Sequence, residues 1–356
     1  MRELVEWWRT RFDWRAQEAA INRFPQFRVT LDGIGLHFVH VRGKGPAPLP
    51  LILTNGWPST FYELLPLVPL LTDPARHGGD PAEAFDVVIP SLPGYGFSDP
   101  LRGTGSTNRV PGMWAKLMTE VLGYARFGAH GGDIGAMVAN RLALEHPERL
   151  VGIHVTRAAD PYVGPGAPPL TEAEQAPVEA RAHWHEVEGG YVHLQRTRPQ
   201  TLTHGLADSP VGLAAWIVEK WRAWSDCDGD LQRRFTKDQL LTTVMLYWLT
   251  GTIGSSFRFH RDWALGAASL PEALAVALAE RAEVPAGVVR PLDRGQRIQV
   301  PAALALFDYS CPREWADRAY GDLRRFTEMP RGGHFTAMEE PELLAEDLRG
   351  FFRALR

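Results

Sequence analysis

The stretch Arg126-Phe127-Gly128-Ala129-His130-Gly131-Gly132-Asp133-Ile134-Gly135-Ala136-Met137-Val138 joins a short apolar run to an acid flanked by glycines. An amphipathic pattern then continues to about His146, so the order predicts a strand, a sharp turn and a helix. Gly131-x-Asp133-x-Gly135 has the form of a nucleophile elbow, in which small neighbours let a strained turn raise one side chain above a parallel sheet. The raised side chain here is a carboxylate.

A carboxylate nucleophile indicates attack on a saturated carbon. A serine attacking such a carbon would leave an ether that water does not cleave, whereas Asp133 would form an ester with the alkyl group. Opening of an epoxide and displacement of a halide would both give this ester, which an activated water hydrolyses at the aspartyl carbonyl. The structural alternative is that Asp133 caps the helix and the glycines only mark a turn.

Composition and charge narrow the classes of protein. The 356 residues are 45% hydrophobic and 22% charged, which is typical of a globular protein with a large core. With 38 basic and 42 acidic residues and no basic stripe, nucleic acid is not an expected partner. Cys227 and Cys311 lack metal-ligand spacing, so neither a zinc site nor a disulfide framework is predicted.

The sequence carries no targeting signal that we recognise. Charged residues interrupt the apolar positions at the N-terminus, no small-residue cleavage site follows them, and 18 apolar residues never run together. We therefore expect a soluble, cytoplasmic protein without a membrane anchor.

The first thirty residues are predicted to form an amphipathic arm. Apolar and aromatic side chains recur at close to helical spacing through residues 3–23, among charged neighbours, so this stretch should pack on the body of the protein. The runs 27–31 and 36–41 flank Asp32-Gly33 and predict a hairpin at an antiparallel edge.

Three strands of the buried type each run into a glycine-rich turn. Residues 50–54 lead into Asn55-Gly56-Trp57-Pro58, residues 86–90 lead into the turn at 93–98, and the third strand precedes Asp133. A helical pattern between the first two makes the series β-α-β, which predicts an α/β fold with a mostly parallel, doubly wound sheet. Ligands of such sheets bind beyond the carboxyl ends of the strands, where all three turns lie.

Residues from 160 to about 263 differ in character from the sequence before them. Five prolines between 161 and 177 make an irregular entry, and aromatic-rich helical patterns follow at 213–224 and 240–248 without a strand pattern. A helical cap inserted over the edge of the sheet is therefore predicted.

The remaining sequence resumes an α/β pattern. Strands are predicted at 302–307 and near 326–329, and a final helix at 341–355 closes the core. The predicted order is an arm, a first core part, a cap and a second core part, at residues 1–30, 31–159, 160–263 and 264–356.

Two further residues complete a candidate catalytic set with Asp133. Asp308 follows the predicted strand at 302–307, and His334 lies in the turn Gly332-Gly333-His334-Phe335. The order nucleophile, acid, histidine is that of α/β-hydrolases, and histidine is the usual general base near neutral pH. Structural roles remain open, because Asp308 could start a turn and His334 could be an ordinary loop histidine.

Nine motifs in collinear order carry a resemblance to a known family: Phe24-Pro25-Gln26-Phe27, Gly56-Trp57-Pro58, His77-Gly78-Gly79-Asp80-Pro81, Pro90-Ser91-Leu92-Pro93-Gly94-Tyr95-Gly96-Phe97-Ser98, Gly131-Gly132-Asp133, Gly190-Tyr191, Asp208-Ser209-Pro210-Val211-Gly212, Met245-Leu246-Tyr247-Trp248 and Arg331-Gly332-Gly333-His334-Phe335. With them the sequence resembles the microsomal-type epoxide hydrolases of the α/β-hydrolase fold over nearly its whole length. Long collinear matches of this kind are highly specific.

The resemblance implies a role for each matched residue. Asp133 would be the nucleophile, His334 the base that activates water, and Asp308 the carboxylate that orients His334. The backbone N–H groups of Trp57 and Ile134 would form the oxyanion hole for hydrolysis of the ester. No metal or cofactor is implied.

The cap would supply the acid that protonates the epoxide oxygen. Tyr191 matches one of two cap tyrosines in the family, and a phenol with a pKa near 10 stays protonated at neutral pH. The second tyrosine aligns with His260, an imidazole that can donate a hydrogen bond in either charge state. Asn55 replaces a family histidine, and Ile134 replaces a family tryptophan beside the nucleophile. From this resemblance we expect the protein to lack the first part of the family's N-terminal region and its membrane anchor.

The sequence therefore predicts an epoxide hydrolase that forms a vicinal diol through an ester on Asp133. Aromatic residues in the cap indicate an apolar or aromatic epoxide, and Ile134 leaves room for a bulky substrate such as a natural-product intermediate. The expected partners of the protein are its epoxide substrate and water. A homodimer is the candidate oligomeric state.

Two alternatives to this hypothesis remain. A haloalkane dehalogenase shares the nucleophile but needs N–H donors to bind the departing halide. Ile134 replaces the tryptophan whose indole would supply such a donor, and Tyr191 offers an acid that halide departure does not use. The second alternative is a binding protein on the same fold with weakened catalysis. It is indicated by Asn55, Ile134 and His260. A serine esterase is excluded by the elbow residue.

Overall fold

A computed structural model describes residues 1–103, 105–262, 292–308 and 310–356. These residues form one mixed sheet, whose strands are β1 Gln26–Leu31, β2 Ile34–Val41, β3 Leu49–Thr54, β4 Phe85–Pro90, β5 Phe127–Gly131, β6 Leu150–Val155, β7 Ala302–Leu306 and β8 Leu323–Glu328. Their order across the sheet is β1-β2-β4-β3-β5-β6-β7-β8. The pairs β1–β2 and β2–β4 are antiparallel, and every other pair is parallel.

The order of the strands creates a switch point at β3 and β5. The chain leaves β3 for β4 on one side and returns to β5 on the other, so β3 and β5 are neighbours with Thr54 opposite Gly131. Because their carboxyl ends meet, the turn that contains Trp57 lies beside the turn that contains Asp133. Open α/β sheets bind ligands at such a point.

Side chains of successive strand residues lie on opposite faces of the sheet, and each face has its own core. Ile52 and Val88 belong to one buried cluster, whereas Leu51 and Val87 belong to the other. The elbow helix covers the first face and the C-terminal helix covers the second. The predicted doubly wound sheet is thus confirmed.

The α-helices of the described residues include those that cover the two faces of the sheet. They are α1 Arg2–Thr10, α2 Trp14–Ile21, α3 Leu67–Thr72, α4 Val110–Lys116, α5 Ile134–Glu145, α6 Glu172–Glu188, α7 Gly190–Thr197, α8 Pro199–Asp208, α9 Pro210–Trp224, α10 Lys237–Thr250, α11 Ile253–Ser256, and then Arg313–Ala319, Thr336–Glu339 and Pro341–Arg353. Single 3-10 turns lie at Phe61–Leu64, Pro74–His77, Pro81–Glu83, Ser106–Arg109, Pro147–Arg149 and Leu231–Arg233, and a π-helical turn lies at Leu117–Val121.

β6 is a strand that the sequence analysis did not predict. Its run is interrupted by Gly152 and His154, residues that weaken a strand pattern. In the fold both are required: a Cβ on Gly152 would lie 2.9 Å from the Pro301 carbonyl oxygen, and His154 bonds through Nε2 to Asp347 Oδ2 at 2.9 Å. Contacts with distant parts of the chain therefore place this strand.

The N-terminal arm is two helices instead of one continuous stripe. Asp13 separates them, because its Oδ1 accepts the backbone N–H groups of Arg15 and Ala16 and so starts α2. The arm contacts α10, where the Trp7 indole donates to Asp238 Oδ1 at 2.7 Å. The last residues assigned to the arm, from 26 onward, lie in β1.

Helices α6 to α11 occupy the described part of the predicted cap, and no strand lies there among residues 160–262. α11 is joined to the core where Ser255 Oγ donates to the Gly94 carbonyl at 2.6 Å. α10 is joined where Tyr247 donates to the Ser59 carbonyl at 2.8 Å. The division of the chain into arm, core and cap remains a prediction, and its boundary at 263 and 264 lies outside the described residues.

Candidate active site

Asp133 lies in a strained turn between β5 and α5. Its φ is +48° and its ψ is −120°, which is rare for a residue with a side chain. A Cβ on Gly131 would lie 2.2 Å from the Gly135 carbonyl carbon, and one on Gly135 would lie 1.9 Å from the Thr54 carbonyl oxygen. The backbone thus forms the predicted elbow, and only glycine fits at these two flanking positions.

The two carboxylate oxygens of Asp133 face different groups. Oδ1 accepts the backbone N–H of Trp57 at 2.9 Å, and Oδ2 lies 4.0 Å from His334 Nε2. Asp133 occupies the N-cap position of α5, but its side chain makes no capping hydrogen bond, so the start of the helix does not account for this carboxylate. Trp57 N–H is therefore aimed at the nucleophile, while the Ile134 N–H makes no bond to it in this state.

His334 is held by the acid that follows β7. Its Nδ1 lies 3.0 Å from Asp308 Oδ2, and its backbone N–H donates to the Trp224 carbonyl at 2.9 Å. Burial favours the neutral imidazole, but the hydrogen bond and charge of Asp308 and the charge of Asp133 outweigh it and raise the pKa of His334 to about 9. The fold thus brings together the three residues predicted as a triad.

Tyr191 lies at the first turn of α7 and stacks on the Trp57 indole, with ring centroids 5.1 Å apart and planes 11° apart. Its hydroxyl has no hydrogen-bond partner in the described residues. Burial, together with the charge of Asp133, raises the pKa values of two other tyrosines, Tyr95 and Tyr247. Their hydroxyls, unlike that of Tyr191, donate to backbone carbonyls, those of Ser256 and Ser59 respectively. Tyr191 therefore has a proton to offer a substrate.

Burial and the negative charge of Asp133 both raise the pKa of Tyr191; Arg157 opposes them and Glu188 adds to them. The phenol is therefore fully protonated at neutral pH. His260 packs edge-on against Trp57 at 5.9 Å and against Tyr191 at 5.8 Å. Burial lowers the pKa of His260 to about 4, against the charge of Asp133, so its imidazole is neutral and retains one N–H.

Comparisons with known proteins agree with this geometry. Residues 1–64 match the family described as epoxide hydrolase N terminus, and residues 50–186 match the alpha/beta hydrolase fold family. Epoxide hydrolase 1 of Sus scrofa is 34% identical over 383 aligned residues, which cover 100% of this chain and 80% of that protein. A Stigmatella aurantiaca protein with a provisional assignment as an epoxide hydrolase is 42% identical, over 99% of this chain and 75% of its own.

The chain belongs to the epoxide hydrolases. Its fold agrees, since the structure of Aspergillus niger epoxide hydrolase superposes with a TM-score of 0.77 at 29% identity, covering 100% of this chain and 85% of that one. The enzyme is accordingly a hydrolase acting on epoxides, with an α/β-hydrolase fold.

Three residues near the site of this enzyme were not singled out from the sequence. The Trp224 ring lies 5.1 Å from both Tyr191 and His334. Lys220, one helical turn earlier, has its Nζ 5.1 Å from the centre of the Tyr191 ring. Both lie in an aromatic-rich helical run, and nothing in that run separates residues of the site from residues of the core.

Glu63 is the third residue near the site that was not singled out, although the sequence contained an indication of it. It is an acid within the apolar segment that directly follows the Trp57 turn. It is buried, and burial raises its pKa to about 7, although Ser59 and the nearby His334 favour its charged form. Its charge also contributes to the raised pKa of His334.

The neighbouring Asn55 is buried and donates through Nδ2 to the Gly56 carbonyl at 2.9 Å. Asn55, which stands where the family has a histidine, therefore does not prevent Trp57 N–H from donating to Asp133 Oδ1.

In the described ranges no three His, Cys, Asp or Glu side chains form a cluster able to hold a metal ion. None of the helices described there is long and apolar enough to cross a membrane.

Proposed function

We propose that this epoxide hydrolase opens its substrate through an ester on Asp133. The observation that carries the proposal is the different surroundings of the two carboxylate oxygens. Trp57 N–H donates to Oδ1, whereas Oδ2 lies on the side of His334 and has no hydrogen bond from the described residues. Oδ2 is thus the attacking atom. Oδ1 becomes the carbonyl oxygen of the ester, already bonded to an oxyanion donor.

In the first step Asp133 Oδ2 attacks an epoxide carbon and the carbon–oxygen bond of the ring breaks. The departing oxygen takes the proton of Tyr191, whose hydroxyl is otherwise unused. His260 supports the proposal of a second donor, since it borders the same ring and keeps one N–H when neutral. The products are a hydroxyalkyl ester and a tyrosinate.

In the second step water attacks the ester carbonyl while His334 takes its proton. Esterification removes the negative charge of Asp133, which is one of the charges that keep His334 protonated, so more of the imidazole is neutral when it has to accept a proton. Trp57 N–H stabilises the developing oxyanion, and Ile134 N–H is the second donor in the proposal. The proton released with the diol restores Tyr191.

The substrate class follows from the rings around the nucleophile. Trp57 borders three of these rings, with its ring centroid between 5.1 and 6.3 Å from those of Tyr191, Trp224 and Phe257. Such a wall suits an apolar or aromatic epoxide, and a bulky natural-product epoxide is the proposed physiological substrate. A cytoplasmic location and a homodimer stay predictions.

Isotope labelling tests the covalent step. A single turnover of styrene oxide in heavy-oxygen water should place the label in the Asp133 carboxylate and leave the diol of that turnover unlabelled. Label found directly in the diol would refute the ester.

Two further measurements test the nucleophile and the reaction class. Asp133→Ala should abolish turnover of epoxides. Halide release from a panel of haloalkanes, without diol formation from epoxides, would favour the dehalogenase.

A further inference from the structure

Lys220 is a buried cation placed against the rings of the site. Its side chain is 8% exposed, and its Nζ lies 5.1 Å from the centre of the Tyr191 ring and 5.7 Å from that of Trp224. Lys220 and Trp224 are four residues apart on α9 and so share a face of that helix. An ammonium within about 6 Å of an aromatic ring centre is attracted to the electron-rich face of that ring.

Two carboxylates accompany this ammonium. Glu219 Oε2 lies 2.7 Å from Lys220 Nζ, with a side chain 55% exposed, and Glu188 Oε2 lies at 3.6 Å, where α6 meets α7. A buried ion pair is weak evidence for a role in stability, because apolar residues of similar volume often replace it without loss. The position of this charge beside Tyr191 points instead to an electrostatic role.

We propose that Lys220 is a positioning residue for acid catalysis, stabilising the negative charge that develops on Tyr191 as its proton passes to the epoxide oxygen. The inference rests on the ester mechanism proposed above. In the ground state the ammonium meets a neutral ring, whereas in the transition state it meets a partly ionised phenolate. The attraction therefore grows as the reaction proceeds, which is the condition for lowering the barrier.

The charges around Tyr191 oppose one another. Asp133 and Glu188 both disfavour a phenolate, and Arg157 favours it. Asp133 loses its charge as it attacks, but Glu188 keeps its own throughout. Lys220 Nζ, 3.6 Å from Glu188 Oε2, offsets the charge that this carboxylate places near the developing phenolate. Lys220 thus acts on the first chemical step and not on ester hydrolysis.

Matched substrates separate this role from a structural one. The probes are 2-benzyloxirane and its analogue with two fluorines on the benzylic carbon, which makes the departing alkoxide less basic and less dependent on an acid. Rapid quenching and intact-protein mass spectrometry give the rates of ester formation and decay. In Lys220→Met we expect ester formation from 2-benzyloxirane to slow about tenfold or more, a smaller loss with the fluorinated epoxide, and unchanged decay.

Companion variants fix the sign of the effect. Lys220→Arg should recover most of the rate, and Glu188→Gln, which removes the opposing charge and keeps Lys220, should speed ester formation. Glu219→Gln, at the exposed partner, should change it less than about twofold. Equal losses for both epoxides, slowed ester decay, no loss at all, or slower ester formation in Glu188→Gln would overturn the inference. Absence of any ester in the wild type would instead refute the proposed function.

Discussion

At the scale of single residues, the proposed mechanism requires His334 to change its protonation state during the cycle. Its pKa of about 9 in the free enzyme means that most of it is protonated at pH 7, whereas a base must be neutral. Asp308 contributes most of the elevation, and Asp133 contributes less. The ester on Asp133 therefore only begins the release of this proton, and pH should control the second half-reaction.

We expect the rate of ester hydrolysis to rise with pH and to level off with an apparent pKa below 9. The charge of Asp133 is absent from the ester, so the imidazole loses its proton more readily than in the free enzyme. Single-turnover decay of a preformed ester between pH 5.5 and 9.5 measures the profile. A rate that is flat or falls with pH would contradict His334 as the base.

Asp308→Asn is the matched change for that profile. Loss of the carboxylate should move the midpoint to lower pH and slow hydrolysis by about three orders of magnitude, because the imidazole is no longer held in the required orientation and tautomer. The rate of ester formation should change much less. An equal loss in both half-reactions would place Asp308 in a structural role.

His260 allows a second prediction at this scale. Because its pKa of about 4 leaves one neutral N–H, His260→Tyr should speed ester formation by providing a phenolic acid in its place. Ester formation is measured with 2-benzyloxirane from pH 6 to 9, and ester decay is the internal control. No gain at any pH would mean that the imidazole does not limit acid assistance.

At the scale of elements, the elbow depends on the absence of side chains. A Cβ on Gly135 would collide with the Thr54 carbonyl, which belongs to β3 and cannot rotate away. The close approach of α5 to β3 therefore fixes the position of Asp133 relative to Trp57. The nucleophile and its N–H donor come from different strands and share one rigid junction.

Gly135→Ala should lower the free energy of unfolding by about 3 kcal/mol or more, since the backbone has to shift. Gly205→Ala is the control within α8, where an added Cβ meets nothing within 4 Å. There the change should stabilise the protein by about 0.5–1 kcal/mol. Urea unfolding measures both, and similar effects at the two sites would refute the packing argument.

At the scale of the whole molecule, buried histidines link stability to pH. His37 is 5% exposed, with Nδ1 2.9 Å from Ser91 Oγ and Nε2 3.0 Å from Gln26 Oε1. Burial, together with the charge of Arg28, lowers its pKa from 6.5 to about 4. Between these values the unfolded chain binds a proton that the folded chain does not bind, so the free energy of unfolding falls as pH falls through this window.

His37 should account for up to about 3 kcal/mol of that loss, since each pKa unit corresponds to about 1.4 kcal/mol. His37→Gln removes the titration and should reduce the difference in stability between pH 7.5 and 4.5 by about 2 kcal/mol. The exposed His77 provides the control, and His77→Gln should leave the difference unchanged. Urea unfolding at both pH values is the measurement, and an unaltered difference in His37→Gln would contradict the assignment.

The sequence predicted the class of sheet because its strands combine buried-type runs with turns rich in glycine. It did not predict β6, whose Gly152 and His154 make sense only beside Pro301 and Asp347. The arm was predicted as a single amphipathic stripe, but Asp13 interrupts it by capping α2. Local patterns thus identified most elements, and long-range contacts decided the exceptions.

By itself the sequence predicted the elbow, the candidate nucleophile and the order of the candidate triad, because glycine spacing and side-chain chemistry are local properties. Only the tertiary structure decided that Trp57 N–H donates to one oxygen of Asp133, that the Tyr191 hydroxyl bonds to none of the described residues, and that Lys220 lies over the Tyr191 ring. These facts depend on distances between residues far apart in the chain. They arise because parallel strands end at one edge, where α7 and α9 close over them.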